Sequence, residues 1–170
     1  MLPERHTIVI HRVSGGGMET RRAAIADAEA MHRVLRAIIA QTGRERPNDV
    51  AFVTRHYIAN PASIACTVAV DATGAVMGFQ SLVRAEAGNR YAVPPGWGII
   101  GTHIAPSAHR RGVGAELFHA TRAAAQAAGL TKIDAYIAAD NAGALRYYEA
   151  MGFRTYREPE GIVQKVCTLG

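Results

Sequence analysis

The stretch Ile104-Ala-Pro-Ser-Ala-His-Arg-Arg-Gly-Val-Gly-Ala-Glu-Leu117 decides the fold, because it joins an apolar strand pattern to an alanine-rich helical pattern. The first N–H groups of a helix have no partner within the helix, and the helix dipole makes this end positive. Gly112 and Gly114 carry no side chain, so a ligand can approach their backbone closely. With Arg110 and Arg111 beside them, they predict a site for a phosphate or pyrophosphate.

Two stricter phosphate motifs do not match this loop. A Walker A loop needs Gly-Lys followed by Ser or Thr, which is absent. A dinucleotide fingerprint needs a third glycine, where this sequence has Leu117. Asp134 lies about far enough downstream for the ribose contact of such a fingerprint, so dinucleotide binding stays an open alternative. The other alternative is a glycine that only starts a helix, beside solvated arginines.

Strand and helix patterns extend outward from this loop in both directions. The elements predicted upstream are a strand (19–25), a helix with Asp27 as its N-cap and Gly43 at its end, a second helix (47–57), and three strands (64–70, 76–86 and 97–105). Those predicted downstream are a helix (112–128), a strand (132–138), a helix (141–151) and two strands (153–157 and 162–169). The order β-α-α-β-β-β-α-β-α-β-β indicates a mixed α/β domain.

The chain start is predicted to lie outside this domain. Thr7–Ile10 can pair as an edge strand, and Ser14-Gly-Gly-Gly17 then interrupts the chain. We therefore expect residues 1–17 to form an N-terminal arm or an extra edge strand, and residues 18–170 to form one domain.

Composition narrows the function classes. The net charge of +5 allows a polyanionic partner, but no run reaches five basic residues and no aromatic residues interleave with them, so nucleic acid is not expected. No apolar run reaches the roughly 18 residues that span a bilayer. The seven histidines show no metal-ligand spacing. Cys66 and Cys167 form no disulfide framework, which favours a reduced, cytoplasmic protein.

A second segment, Asn141-Ala-Gly-Ala-Leu-Arg-Tyr-Tyr-Glu-Ala-Met-Gly-Phe153, follows a predicted strand. Asn141 can cap the helix that it begins. Tyr148 is two helical turns later, on the same side of that helix. From the residues alone, a capping Asn and a packed Tyr explain this segment as well as a functional role does.

Together the two segments resemble the GNAT superfamily of acetyl-CoA-dependent N-acetyltransferases. The family's loop reads Gln/Arg-x-x-Gly-x-Gly/Ala, and this chain departs from it at His109, which should leave binding through the backbone intact. The family's later segment reads roughly Asn-x-x-Ala-x-x-x-Tyr-x-x-x-Gly-Phe. The positions that match it are Asn141, Ala144, Tyr148, Gly152 and Phe153. The resemblance covers about Met18 to Leu169 and implies a mostly antiparallel central sheet flanked by helices.

The resemblance also implies acetyl-CoA as co-substrate and no metal. The pyrophosphate would lie on the N–H groups from Arg111 to Ala115, and the pantetheine would pair with the strand ending at Thr102-His103-Ile104. Asn141 would contact the pantetheine side. The residues so assigned to the cofactor are Thr102, His103, Ile104, Arg110, Arg111, Gly112, Val113, Gly114, Ala115, Asn141 and Tyr148.

The implied reaction is direct attack of a neutral amine on the thioester. Tyr148 matches the family's general acid for the leaving thiolate, and the backbone near Ile104 would polarise the carbonyl. The family often places Glu or His four or six residues before the Ile104 position, where this chain has Ile100 and Gly98, which cannot titrate. His103, Glu86, a water chain or an acceptor that arrives neutral all stay open as the source of deprotonation.

We therefore expect a small, cytoplasmic, homodimeric N-acetyltransferase that acts on a primary amine. Residues 18–95 contain no acidic cluster, so a polycationic acceptor is disfavoured and a hydrophobic or zwitterionic small molecule is preferred. Protein N-termini or lysines form the competing acceptor class. A non-catalytic acyl-CoA-binding module and a nucleotide- or nucleic-acid-binding domain are the alternatives outside that activity.

Overall fold

A single eight-stranded sheet organises the computed structural model, which describes residues 11–12 and 17–170. The strands are β1 (His11–Arg12), β2 (Glu19–Arg22), β3 (Ser63–Val70), β4 (Val76–Arg84), β5 (Gly98–Ile104), β6 (Lys132–Ala138), β7 (Arg154–Arg157) and β8 (Ile162–Thr168). The helices are α1 (Ala28–Thr42), α2 (Val50–Val53, continued by a π-helical turn over Thr54–Ile58), α3 (Val113–Ala127) and α4 (Ala142–Ala150).

The strand order is β1-β2-β3-β4-β5-β6-β8-β7. Every neighbouring pair is antiparallel except β5 and β6, which are parallel and joined by the crossover helix α3. The predicted mixed α/β fold with a mostly antiparallel sheet is confirmed.

Helices cover both faces of the sheet because the strand side chains alternate between two apolar layers. On one face, which we call the α3 face, α3 and α4 pack on strand residues such as Leu82 and Ile100. On the other, the α1 face, α1 and α2 pack on residues such as Val68 and Phe79. Each layer is fully buried at its centre, so the sheet is held rigidly between them.

The two parallel strands diverge halfway along their length. Strand β5 pairs with β4 from Gly98 to Ile104, but it pairs with β6 only from Gly98 to Ile100. Strand β6 continues to Ala138 in register with β8. In the described part of the chain, the edge of residues 101–104 that faces β6 therefore has no strand partner. Unpaired strand groups can bind another extended chain, and we call this gap the β5–β6 opening.

The start of α1 differs from the prediction. Asp27 does not cap α1 with its side chain, because Ile25–Asp27 already form a 3-10 turn that runs into the helix. Its carboxylate instead accepts from the Ala24 N–H at 2.7 Å and from both terminal nitrogens of Arg21 at 2.7 and 2.8 Å. The predicted end of the helix at Gly43 is confirmed, with φ of 70°.

The second helix is shorter than 47–57, because the Asp49 carboxylate caps it by accepting from the Phe52 N–H at 2.8 Å. The proposed strand Thr7–Ile10 lies outside the described residues. The two residues that follow it form β1 and pair with Glu19 and Thr20 at the sheet edge. The boundary between arm and domain at residue 17 stays a prediction.

Candidate functional site

The loop before α3 has an irregular backbone with two residues in the left-handed region. Arg110 is in the left-handed region with φ of 63°, which a residue with a side chain rarely adopts. Gly112 is also left-handed, with φ of 77°, and Val113 continues in the right-handed helix. Such alternation aims successive N–H groups at one point and makes a concave anion site. Arg110, Arg111 and Gly112 are exposed, so the predicted pyrophosphate site is accessible.

Gly114 is the one position of this loop where a side chain has no room. A Cβ atom there would lie 2.5 Å from Tyr147 Cε2 and 3.2 Å from Ile104 Cδ1. The Tyr147 hydroxyl donates a hydrogen bond to the Gly114 carbonyl oxygen at 2.7 Å. The tyrosine ring of α4 therefore packs directly on the first turn of α3, beside the end of β5.

A buried hydrogen-bond network leads from this contact to Tyr148. Gln80 is fully buried on β4, and its Nε2 donates to Tyr147 Oη at 3.0 Å and to Thr102 Oγ1 at 2.9 Å. Thr102 Oγ1 lies 2.8 Å from Tyr148 Oη. The chain of contacts thus joins the predicted pyrophosphate loop to the predicted general acid through one amide group.

The donors in this network are constrained. The Gly114 carbonyl can only accept, so the Tyr147 proton is committed to it, and the Gln80 amide must be the donor to Tyr147. Both N–H groups of that amide are then used, and Thr102 accepts one of them. The Thr102 proton is left free to be donated to Tyr148 Oη, an arrangement in which Tyr148 keeps its own proton for a ligand.

Burial raises the pKa of Tyr148 well above its ordinary value, and the hydrogen bond to Thr102 only partly opposes this. Its ring is 6% exposed and packs against Tyr147 and Phe153 with ring centres 5.0 and 5.1 Å apart. The phenol is therefore protonated at neutral pH and held in one position. A proton donor needs both properties, whereas the raised pKa itself makes the free phenol a weaker acid than an ordinary tyrosine.

Four of the eleven predicted cofactor residues lie beside the β5–β6 opening on the α3 face. Thr102 and Ile104 belong to the unpaired part of β5, and Gly114 and Tyr148 flank it. Asn141 lies at the start of α4, where its Oδ1 accepts from the Ala144 N–H at 3.2 Å. Its capping role is confirmed, and a contact with pantetheine stays a prediction. The remaining assigned positions at the start of α3 are Val113, which is buried, and Ala115, which is exposed.

His103 points to the α1 face, opposite to Thr102, because side chains alternate along a strand. Its ring packs on Phe79 and Tyr57, with centres 4.7 and 5.4 Å away, and its Nδ1 lies 3.4 Å from Nη1 of Arg46. Burial lowers the pKa of His103 to about 3, and the Arg46 charge adds to this effect. A group that holds a proton so weakly is a poor acceptor for one, which weakens the proposal of His103 as base.

Glu86 is not brought to the site. Strand β4 ends at Arg84, which pairs with Gly98 at the start of β5, so Glu86 lies beyond that end. Six residue steps of a strand separate Gly98 from Ile104, which is about 20 Å. Glu86 is exposed at this far end, a placement that argues against it as base.

The dinucleotide alternative is wrong. Asp134, which a ribose would need, is fully buried in β6. Its Oδ2 accepts from the Tyr156 hydroxyl at 2.6 Å and from Gln164 Nε2 at 3.1 Å. The carboxylate is enclosed by protein groups and faces no ligand.

Sequence reasoning missed three residues of this region. Gln80 is a polar residue within the apolar strand pattern of β4, which is a detectable sign of a buried network. Tyr147 precedes Tyr148 in the sequence, but the family's later segment allows any residue at its position. Arg46 lies in an irregular segment between α1 and α2, and nothing in its sequence context indicates that it reaches His103.

The described residues contain neither a metal-binding cluster nor a membrane-spanning helix. Within residues 11–12 and 17–170, no three His, Cys, Asp or Glu side chains are grouped as metal ligands. None of the helices in the same ranges has the length and apolar character needed to cross a membrane.

The matches to known proteins agree with this geometry. A family model described as acetyltransferase (GNAT) family matches residues 29–153. No curated protein sequence matches the chain. Among solved structures, the GNAT domain of S. lividans PAT has a TM-score of 0.79 at 17% identity, covering 99% of this chain and 100% of that one.

One further similar structure contains acetyl-CoA, and another is of an enzyme named for its substrate. The structure of yncA from Salmonella typhimurium with acetyl-CoA has a TM-score of 0.73 at 20% identity, covering 91% of this chain and 95% of that one. A spermidine N-acetyltransferase chimera from Vibrio cholerae SpeG and hSSAT has a TM-score of 0.66 at 16% identity, covering 90% and 96%. At these identities the likeness shows the fold.

The close contact at Gly114 gives a first prediction. Gly114→Ala forces Tyr147 off the start of α3, so we expect a loss of about 1–3 kcal/mol in the free energy of unfolding, the usual cost of overpacking. Acetyl-CoA affinity should fall about tenfold or more. Gly143→Ala in α4 is the control, because a Cβ there meets only Asn141 Oδ1 at 3.9 Å. Denaturant unfolding and calorimetric titration measure both, and equal behaviour of the two variants would contradict the contact.

The environment of His103 gives a second prediction. Its pKa is lowered on folding, so the unfolded chain takes up a proton between about pH 6.5 and pH 3 that the folded protein does not. Stability from the neutral ring is therefore lost as pH falls through this range. Between pH 7 and pH 5, the free energy of unfolding should drop by about 1–2 kcal/mol more in the wild type than in His103→Asn. Equal drops in urea unfolding would show that the ring is not desolvated.

Proposed function

The chain belongs to the acetyltransferase (GNAT) family and is an acetyl-CoA-dependent N-acetyltransferase, and we propose that it acetylates the primary amine of a small molecule by direct attack in a ternary complex. One observation carries the proposal. The unpaired part of β5 lies between a helix start that suits an anion and a protonated, buried tyrosine.

The residues around the opening fit acetyl-CoA. The N–H groups from Arg111 to Ala115, which precede and begin α3, and the charge of Arg110 suit a pyrophosphate. The free edge of residues 101–104 suits the amide groups of pantetheine, which would add to the sheet as a short strand. We propose that Asn141, at the start of α4, contacts the same arm. Acetyl-CoA supplies an activated acetyl thioester.

Three physical demands fall on the protein in this reaction. The amine must be neutral when it attacks, since an ammonium has no lone pair. The carbonyl oxygen gains negative charge and needs a fixed donor, for which the backbone near Ile104 is available. The departing thiolate needs a proton. Tyr148 can give it, because its hydroxyl is protonated and held by Thr102 at 2.8 Å.

No titratable side chain on β5 suits the role of base. Ile100 and Gly98 occupy the positions where the family often has one, His103 holds a proton weakly, and Glu86 lies at the far end of the strand. We therefore propose that the amine binds neutral or loses its proton to water. The rate should then rise with pH towards the ammonium pKa of the acceptor.

A small acceptor is supported by the spermidine N-acetyltransferase of the same fold. Protein N-termini and lysines are the competing class. We also propose that the enzyme is a cytoplasmic homodimer. The two cysteines are free and buried, which suits a reducing compartment.

The function is tested by binding and then by turnover. Acetyl-CoA at a hundred times its Kd should raise the free energy of unfolding by about 2.7 kcal/mol, whereas equal ATP should not. A panel of small amines and short peptides should then release free thiol, which a colorimetric reagent detects. No shift with acetyl-CoA would contradict the assignment. Turnover with peptides alone would move the acceptor to the protein class.

Tyr148 and Tyr147 make a matched pair of variants. Tyr148→Phe removes the proposed acid, so kcat should fall about a hundredfold while acetyl-CoA affinity changes little. Tyr147→Phe removes the bond to Gly114, so the KM for acetyl-CoA should rise while kcat changes less. Steady-state kinetics separate the two, and an unchanged kcat in Tyr148→Phe would remove that residue from the mechanism.

A further inference from the structure

The guanidinium of Arg46, an exposed residue, contacts an aromatic cluster on the α1 face. Its Nη2 donates to Tyr57 Oη at 2.5 Å, and its Nη1 lies 3.4 Å from His103 Nδ1. Tyr57 is 3% exposed and packs edge-on against Phe79. Two ring systems therefore fix the guanidinium beside β5, although Arg46 lies in the irregular segment between α1 and α2.

Two more guanidinium groups share this region. Burial lowers the pKa of His56, and the charges of Arg46, Arg90 and Arg55 lower it further. The His56 ring lies 4.7 Å from that of Tyr57, so the three charges act on a ring that packs on this aromatic cluster. We call Arg46, Arg55 and Arg90 the arginine cluster.

The nearby acids do not neutralise this cluster. Among the described residues, none of the three arginines forms an ion pair with a carboxylate. Glu45 lines a separate surface cleft of about 310 Å³ with Arg36 and Asn48. Asp49 caps α2, and Asp140 pairs with Arg44 at 2.8 Å. The two histidines beside the cluster are neutral at pH 7, since their pKa values are lowered.

The cluster lies across the sheet from the proposed acetyl-CoA site. His103 and Thr102 are adjacent on the unpaired part of β5, and their side chains point to opposite faces. Thr102 contacts Tyr148 on the α3 face, while His103 contacts Arg46 on the α1 face. An acceptor that enters from the α1 face therefore meets Arg46 immediately beside the β5–β6 opening.

We propose that the acceptor is an amine that also carries a carboxylate, as an amino acid does, and that Arg46 binds this carboxylate with Arg55 and Arg90 supporting it by charge. The inference rests on the proposed function and specifies its substrate class. Arg46 has donors left for a bidentate contact, and hydrogen bonds between ions are about twice as strong as neutral ones. When the carboxylate is fixed, the amine of the same molecule lies at a set distance from it. Such a contact therefore favours acceptors with this separation between the two groups.

The same charges disfavour polyamines. Three guanidinium groups without carboxylate partners repel a second ammonium, so spermidine should be a poor acceptor for this chain although an enzyme of the same fold takes it. Lysine side chains of proteins carry no nearby carboxylate of their own.

The test uses acceptors that differ only in the carboxylate. Leucine, leucinamide and isopentylamine form one such set, and spermidine is added as a polycation. Thiol release from acetyl-CoA gives kcat/KM for each. We expect leucine to exceed both other members of its set by about tenfold to a hundredfold, the range of a charged hydrogen bond. Leucinamide is the more easily deprotonated amine, so this preference cannot come from free amine concentration.

Variants assign the preference to a residue. Arg46→Gln should remove the advantage of leucine over leucinamide, mainly through a higher KM for leucine, and Arg46→Lys should restore part of it. Arg33→Gln is the matched control, because Arg33 lies on the exposed side of α1 and pairs only with Glu29 at 3.6 Å. Acetyl-CoA affinity, measured by calorimetry in every variant, confirms that the fold and the cofactor site are kept.

The outcomes are distinct. Equal acetylation of leucine, leucinamide and isopentylamine would overturn the inference and leave the proposed function intact. A preference for leucine that survives in Arg46→Gln would overturn the role of Arg46. Binding of acetyl-CoA without thiol release from any amine would instead contradict the proposed function.

Discussion

The divergence of β5 from β6 after Ile100 is the constraint on which the rest of the structure depends. A parallel pair that stayed in register would satisfy the backbone of residues 101–104 and close the sheet. Here β4 and β8 hold the two strands separately, each in full antiparallel register. The resulting opening is a fixed feature of the fold, and it gives the sheet one short edge that an extended ligand can fill.

Side chains from both halves of the chain maintain the geometry of this opening. Tyr147 packs on Gly114 so closely that α4 and the start of α3 form one unit, and Gln80 joins them to Thr102 and Tyr148. On the opposite face His103 contacts Arg46. One strand therefore places a proton donor near one face and a cation near the other. In the proposed reaction the proton donor protonates the leaving thiolate, and the cation binds the carboxylate of the incoming acceptor.

The bounds of a helix or strand were predicted closely where the spacing of its apolar residues agreed with residues that begin or end such an element. The strand 132–138 and the helix that ends at Gly43 are examples. The sequence predicted the Asn141 cap for the same reason. It could not predict Arg46, because an arginine in an irregular segment gains its role from residues distant in the chain. Asp27 does not cap α1 with its side chain, because Arg21 of β2 and the Ala24 N–H before the helix engage its carboxylate.

Hydrogen exchange of the backbone amides with and without saturating acetyl-CoA tests the central claim most directly. If the opening receives the pantetheine and the α3 start receives the pyrophosphate, protection should increase together at residues 101–104 and 111–115, while β2 and β3 stay unchanged. Increased protection only at other residues would contradict the account. So would amide exchange at residues 101–104 that stays as fast as in the free protein.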